Sequence, residues 1–305
     1  MEDKTVTVIS PLDFVAGCIG GGAGVLSGHP LDTVKVRLQT EPKKYKNTLF
    51  TLRTIIREEK AIGLFKGMSS PLLGAGVINA VLFGVYGTSL RAMSSTPTHP
   101  HLSHIFWAGC ISGFVNSFIS CPMELVKIRL QNQVDKISYA GPLDCIKQIW
   151  KAEGMRGFYR GMGSTLWRET PSYGVYFASY EFMVRMAGAD GPGISVVPLL
   201  MSGGIAGVLA WFVTYPFDRL KTLEQSSPTG SMPRPKSMMD GFRGIIKQEG
   251  VRGLFAGFAP TAIRGFVTNA AIFLAVEATV HFFGPDIQED KNKEIKGVFE
   301  SAGKA

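Results

Sequence analysis

The chain has 305 residues, 45% hydrophobic and 18% charged, with 36 glycines and a formal net charge of +8. Its four cysteines (Cys18, Cys110, Cys121, Cys145) have neither metal-ligand spacing nor a paired framework, and no phosphate loop, dinucleotide fingerprint or catalytic histidine pattern is visible, which argues against an enzyme, a resident cofactor or a metal site. The basic excess has no aromatic-interleaved or finger pattern, so anionic phospholipid head groups and anionic parts of a small substrate are the expected partners, and nucleic acid is not.

The first predicted element is a Gly-rich apolar segment, about residues 11–39, that runs into His29–Gln39, HPLDTVKVRLQ. A polar loop and a short amphipathic stretch, Thr48–Glu59, follow, with Leu52, Ile55 and Ile56 at helical spacing. Then come GLFKG at Gly63–Gly67 and a second apolar segment, about residues 68–93.

The same order returns twice. Segment 103–131 carries CPMELVKIRLQ, then Gly141–Glu153, GFYRG at Gly157–Gly161 and segment 163–186. Segment 197–225 carries YPFDRLKTLEQ, then Met239–Glu249, GLFAG at Gly253–Gly257 and segment 258–283. Pro30, Pro122 and Pro216 mark near-constant spacing, and a repeat of this length is a folding unit. The expected units are repeats at 8–95, 101–188 and 195–284, with a flexible charged tail at 285–305.

No stretch is a clean run of about 20 apolar residues, the mark of a simple membrane span. Instead, glycines recur in register thirteen and nine residues before each motif proline: Gly17 and Gly21, Gly109 and Gly113, Gly203 and Gly207. Such spacing lets helix backbones approach closely in lipid, around a wet interior. The expected fold class is an all-α membrane protein: six transmembrane helices in three tandem pseudosymmetric repeats, each with a short amphipathic helix lying along the membrane.

The triplicated P-x-[DE]-x-x-[KR] motif with its trailing Gln, followed by Gly-aromatic-base-Gly, resembles the mitochondrial carrier family across nearly the whole chain. The resemblance implies threefold pseudosymmetry, matrix-side amphipathic helices and a central site. It also implies a multi-pass protein of the mitochondrial inner membrane that carries metabolites, works as a monomer and binds cardiolipin. The third copy departs from the pattern: Leu223 stands where the others have Arg37 and Arg129, and Ala256 where they have Lys66 and Arg160.

A proline inside a long helix removes a backbone hydrogen bond and kinks it. The acid two residues on and the base five residues on share one helix face. The family pattern implies a matrix gate of Asp32–Lys127, Glu124–Lys221 and Asp218–Lys35, braced by Gln39, Gln131 and Gln225. At the far end, Tyr86–Gly87 with Leu90, Tyr180–Glu181 with Val184, and Val276–Glu277 with Val280 lack the bases of the corresponding motif, so a feeble ring and some uniport beside exchange are expected.

Seven residues after Gly67, Gly161 and Gly257 stand Gly74, Arg168 and Arg264, and twelve residues after stand Asn79, Tyr173 and Asn269. Charge so deep in a span is costly and marks a pathway. A forked guanidinium suits a carboxylate, and Glu169 beside Arg168 suits an ammonium. STLWRETPSYGVYF resembles the amino acid and acylcarnitine branch of the family. That resemblance implies basic amino acids as substrates: arginine and lysine, with ornithine or histidine as further candidates. Carnitine, acylcarnitines or another amino acid-type zwitterion are the alternative, since no extra acid near Gly74–Asn79 offers itself to a cationic side chain.

Overall fold

The computed structural model describes residues 11–94, 100–133, 139–187, 196–226 and 237–272, with a few single positions beyond. The charged tail, Glu277 and Val280 lie outside the described residues. Helix α1 spans Pro11–Thr40, α2 Thr48–Glu59, α3 Ser69–Met93, α4 Leu102–Asn132 and α5 Pro142–Glu153. A short α6, Met155–Phe158, leads to α7, Met162–Met186. Then follow α8, Val196–Ser226, α9, Met238–Glu249, and α10, helical from residue 258 to 272. Short 3-10 segments, Ala61–Phe65 and Val251–Phe255, stand where the second repeat has α6. No strand occurs among the described residues.

The polarity of α4 shows why these helices suit lipid. Trp107, Ile111, Phe114 and Phe118 recur every three or four residues and are exposed, while Ser112, Asn116, Ser117 and Ser120 on the other face are buried. Water would favour the reverse arrangement. A bilayer favours this one, because polar groups there must find partners inside the protein. α4 is also long and apolar enough to cross a membrane by itself.

The amphipathic helices bury one apolar row against the motif helices and keep further apolar residues exposed. Ile55, Cys145, Ile149 and Ile245 are buried, while Leu49, Leu143 and Trp150 are exposed. Asn47 and Ser237 cap α2 and α9 by accepting backbone N–H bonds from Phe50 and Asp240. Burial pushes the Cys145 thiol up to about 11.

The chain divides into two compact units. In the larger, Gly28–Phe266, α4 packs against α3, α7 and α8, and α7 also packs against α8. The seam between α4 and α7 is tight. A Cβ added to Gly109 would lie 2.7 Å from Tyr173 O, and one added to Gly113 would lie 2.6 Å from Glu169 O. The other predicted glycines behave differently. Gly17, Gly21 and Gly207 face nothing within 4 Å, and a Cβ on Gly203 would only touch Tyr180 at 3.9 Å. In the smaller unit, Met1–Ser27 with Val267–Ala305, Gly20 and Gly24 face Ile272 instead, three residues along from the predicted pair. Three residues are close to one helical turn, so the small-residue face is kept and its contact slides along it.

Candidate functional site

The three motif helices stay helical through Pro30, Pro122 and Pro216, and their C-terminal thirds meet through ion pairs. Lys127 Nζ lies 2.5 Å from Asp32 Oδ2, and Lys35 Nζ lies 2.8 Å from Asp218 Oδ2. Lys221 pairs with Glu124. Each motif thus gives its acid to one neighbour and its base to the other.

The glutamines close the same ring lower down. Gln39 Nε2 donates to Asp218 Oδ2 at 3.1 Å and to Tyr215 Oη at 3.2 Å. Gln131 Nε2 reaches Thr33 Oγ1 at 3.2 Å, with His29 Nε2 at 3.4 Å. Gln225 Nε2 donates to Arg160 O at 3.3 Å and lies 3.6 Å from Cys121 Sγ. Among the described residues only Gln39 touches a carboxylate of the ring, and all three glutamines reach the residue just before the proline of a neighbouring motif.

Those pre-proline residues were not visible as a set in the sequence. His29 Nε2 lies 2.9 Å from Lys66 O, Cys121 Sγ 3.8 Å from Arg160 O, and Tyr215 Oη donates to Ala256 O at 3.2 Å. A His, a Cys and a Tyr share little chemistry beyond one hydrogen-bond donor each. Their one shared signal was register: each precedes the motif proline, and each reaches the carbonyl of the fourth residue in its own Gly-aromatic-x-Gly motif.

The deep arginines sit on this ring rather than apart from it. Arg168 Nη2 lies 2.9 and 3.1 Å from the two oxygens of Glu124, and 2.6 Å from Glu169 Oε1. Arg264 faces Asp32 with two nitrogens, Nε at 3.1 Å from Oδ1 and Nη1 at 3.4 Å from Oδ2. α4 supplies further donors to Glu169: Ser120 Oγ at 2.7 Å, Ser117 Oγ at 3.3 Å and Asn116 Nδ2 at 3.5 Å. Charge-assisted bonds of this kind offset the cost of burying a carboxylate. These hydroxyls could have been suspected from the polar stripe they make in an otherwise apolar span. Among the described residues Arg168 Nε and Asn116 Oδ1 are buried without a hydrogen-bond partner, one donor and one acceptor side by side with this network.

Trp211, on α8, lies under two cations, with Lys35 Nζ 4.4 Å and Arg168 Cζ 5.6 Å from its ring centroid. Gly74 is buried, and an added Cβ there would overlap the Met123 methyl group. Asn79 is exposed, and Tyr173 is half-buried beside Phe177. Asn269 belongs to the smaller unit and is exposed. At the other end of α7, Glu181 pairs with Arg185 of its own helix at 2.8 Å, while Arg185 Nη2 donates to Pro100 O. The base therefore exists, one residue past Val184, and it serves an intrahelical pair. Tyr86 stacks on Phe177, ring centroids 4.1 Å apart.

The family model for mitochondrial carrier proteins matches the chain three times, at residues 8–96, 98–190 and 193–286. The chain belongs to the mitochondrial carrier family. It is thus a carrier and not an enzyme, built on three tandem repeats of the family's unit. The carrier is 45% identical over 278 residues to the mitochondrial basic amino acids transporter of Bos taurus, covering 89% of this chain and 92% of that one. It is 44% identical to the human protein of that name, covering 89% and 90%. It is 39% identical to the mitochondrial carnitine/acylcarnitine carrier protein of Rattus norvegicus, covering 88% and 93%.

Proposed function

We propose that this carrier moves basic amino acids, arginine and lysine first, across the mitochondrial inner membrane by alternating access. Ornithine and histidine are further candidates, and exchange is the main mode, with some uniport. The observation that carries the reading is the adjacency of Arg168 and Glu169, buried deep in a span and tied to the ion-pair ring. The names of the relatives support the same substrate class.

The chemistry follows from partner exchange. Arg168 and Arg264 now rest on Glu124 and Asp32, which also hold Lys221 and Lys127. An incoming α-carboxylate competes for both guanidinium groups and draws them off the gate acids. Arg168 Nε, still a spare donor, adds a bond to it. The α-ammonium takes the place that Arg168 leaves at Glu169, with Asn116 Oδ1 as a second acceptor. Two of the three gate pairs, Glu124–Lys221 and Asp32–Lys127, then lose the arginine that anchors their acid to α7 or α10, and the ring opens toward the matrix. Several separate pairs that share their acids with arginines suit this step better than one isolated pair, because closure must be modest to be reversible.

In this reading Gly74, Asn79 and Tyr173 complete the substrate site within the larger unit, with Asn79 or backbone carbonyls bonding the side chain, while Asn269 stays with the smaller unit. Asp32, Lys35, Glu124, Lys127, Asp218 and Lys221 are the matrix gate, Gln39, Gln131 and Gln225 its braces, and the three prolines its hinges. The working unit is a monomer of repeats 8–95, 101–188 and 195–284, bound to cardiolipin.

One observation favours a second reading. Glu169, Glu124, Asp32 and Asp218 are all paired, so no carboxylate of the site is left for a cationic side chain. A zwitterion such as carnitine needs none. Uptake of labelled arginine and labelled carnitine by liposomes holding the purified carrier, with and without internal substrate, separates the two. Arginine uptake lost in Arg168→Ala and Glu169→Gln supports the first reading, and carnitine uptake without arginine uptake replaces it with the second.

A further inference from the structure

The Glu that ends each amphipathic helix is tied back to the motif helix of its own repeat, and the third repeat does this differently. Glu59 pairs with Arg37 at 2.7 Å and with Lys66. Glu153 lies 3.6 Å from Arg129 and 3.8 Å from Arg160. Both partners are missing in the third repeat, where Leu223 and Ala256 stand. Glu249 is instead met by Arg219, whose Nη2 lies 2.9 and 3.1 Å from its two oxygens. Arg219 Nε donates to Gly253 O at 3.3 Å, and the side chain is fully buried.

Helix geometry explains why this replacement works. Arg219 sits three residues after its proline, and the lost base would sit seven after; residues four apart share a face. The equivalent of Arg219 in the first repeat is Thr33, whose hydroxyl donates to Leu64 O at 2.7 Å, on the matching 3-10 segment. In the second repeat it is Leu125, buried in the cluster with Ile149 and Phe158. Position Pro+3 therefore faces the loop in every repeat, and an arginine there reaches the Glu from one turn higher. That turn begins beside the gate acid, because Arg219 follows Asp218 directly.

We propose that Arg219 is a positioning residue for transport. Through Glu249 and Gly253 O it makes α9 and its 3-10 segment move with the gate turn of α8, replacing the two bases used by the other repeats. The inference rests on the carrier function proposed above. It places the third repeat's coupling one helical turn closer to the gate than in the first two.

The test relocates the arginine. Wild type, Arg219→Ala, Arg219→Ala/Leu223→Arg, and the same double variant with Glu249→Gln are reconstituted, and arginine exchange is measured. Arg219→Ala should lose at least about tenfold in maximal rate with KM within about twofold, as misplacement remote from the substrate does. Leu223→Arg should restore most of that rate, and should not do so once Glu249 is Gln. A folded double variant, with wild-type melting temperature, that stays slow overturns the proposal, as does a wild-type rate in Arg219→Ala. If Arg219→Ala does not fold, a folded and active double variant supports the proposal, and a double variant that also fails to fold overturns it. If wild type takes up no arginine, the substrate reading is what fails. The four melting temperatures then decide, with recovery by Leu223→Arg supporting the proposal and no recovery overturning it.

Discussion

Gln39 Nε2 donates to both Tyr215 Oη and Asp218 Oδ2, joining the first repeat to two residues of the third through one amide. The amide lets a neutral side chain stiffen an ion pair without adding charge. Gln39→Ala removes donors from a buried phenol and a buried carboxylate, a loss of about 1 kcal/mol per bond or somewhat more. The expected outcome is a lower melting temperature in detergent and a weaker hold on the matrix-closed state, read as more uptake without internal substrate. Unchanged melting temperature and exchange ratio would count against the brace.

Arg168 touches Glu124 and Glu169 at once, so its two obvious replacements should differ. Arg168→Ala leaves the buried Glu169 and the half-buried Glu124 short of a partner, and uptake should fall by about a hundredfold or more. Arg168→Lys keeps the charge and loses the fork, and should retain measurable uptake with a raised KM. Wild-type uptake in Arg168→Lys would argue that charge alone matters there, and equal uptake by the two variants that neither charge nor fork does.

Glu59 gives a pH dependence outside the spans. Burial pushes its carboxyl up, yet the hydrogen bonds and charges of Arg37 and Lys66 outweigh burial and hold it below the usual 4.5. A depressed carboxyl stabilises the fold fully above its unfolded value. That contribution fades as pH falls from about 4.5 through the lower folded value. Melting temperature measured down this range should drop less steeply in Glu59→Gln than in wild type, from a lower starting point. Parallel curves would remove Glu59 from the acid transition.

Cys145 should resist alkylation. The thiolate is the reactive form, and burial holds this thiol protonated to about 11. Cys145 should react with maleimide only after denaturation. Labelling of Cys145 in the folded carrier would mean that α5 lifts off α4.

Much of the fold was legible because the chain states it three times. Pro30, Pro122 and Pro216 fixed the register, and the amphipathic helices end at Glu59, Glu153 and Glu249 as their periodicity predicted. The gate partners followed from the family pattern, and the structure brings each pair together. Contacts between unlike side chains were harder to read. Nothing in a His, a Cys and a Tyr announces that all three seek the same carbonyl. Nor does spacing say which glycines meet a neighbour, because the opposing helix can slide by a turn, as at Gly20 and Gly24. Arg219 was hidden for a related reason: it stands at a variable position of the motif, where no pattern marks it, yet that position faces the loop.

The seam at Gly109 and Gly113 has a consequence for selectivity. Backbone meets backbone there, so α4 and α7 cannot ratchet past each other without a collision at Tyr173 O or Glu169 O. The second repeat is thereby a stiff chassis, and the height of the Glu169 carboxylate against Ser117 and Ser120 is set like a notch on a ruler. Even an alanine at position 113 would shift that notch, and with it the distance between the places where an ammonium and a carboxylate can be held.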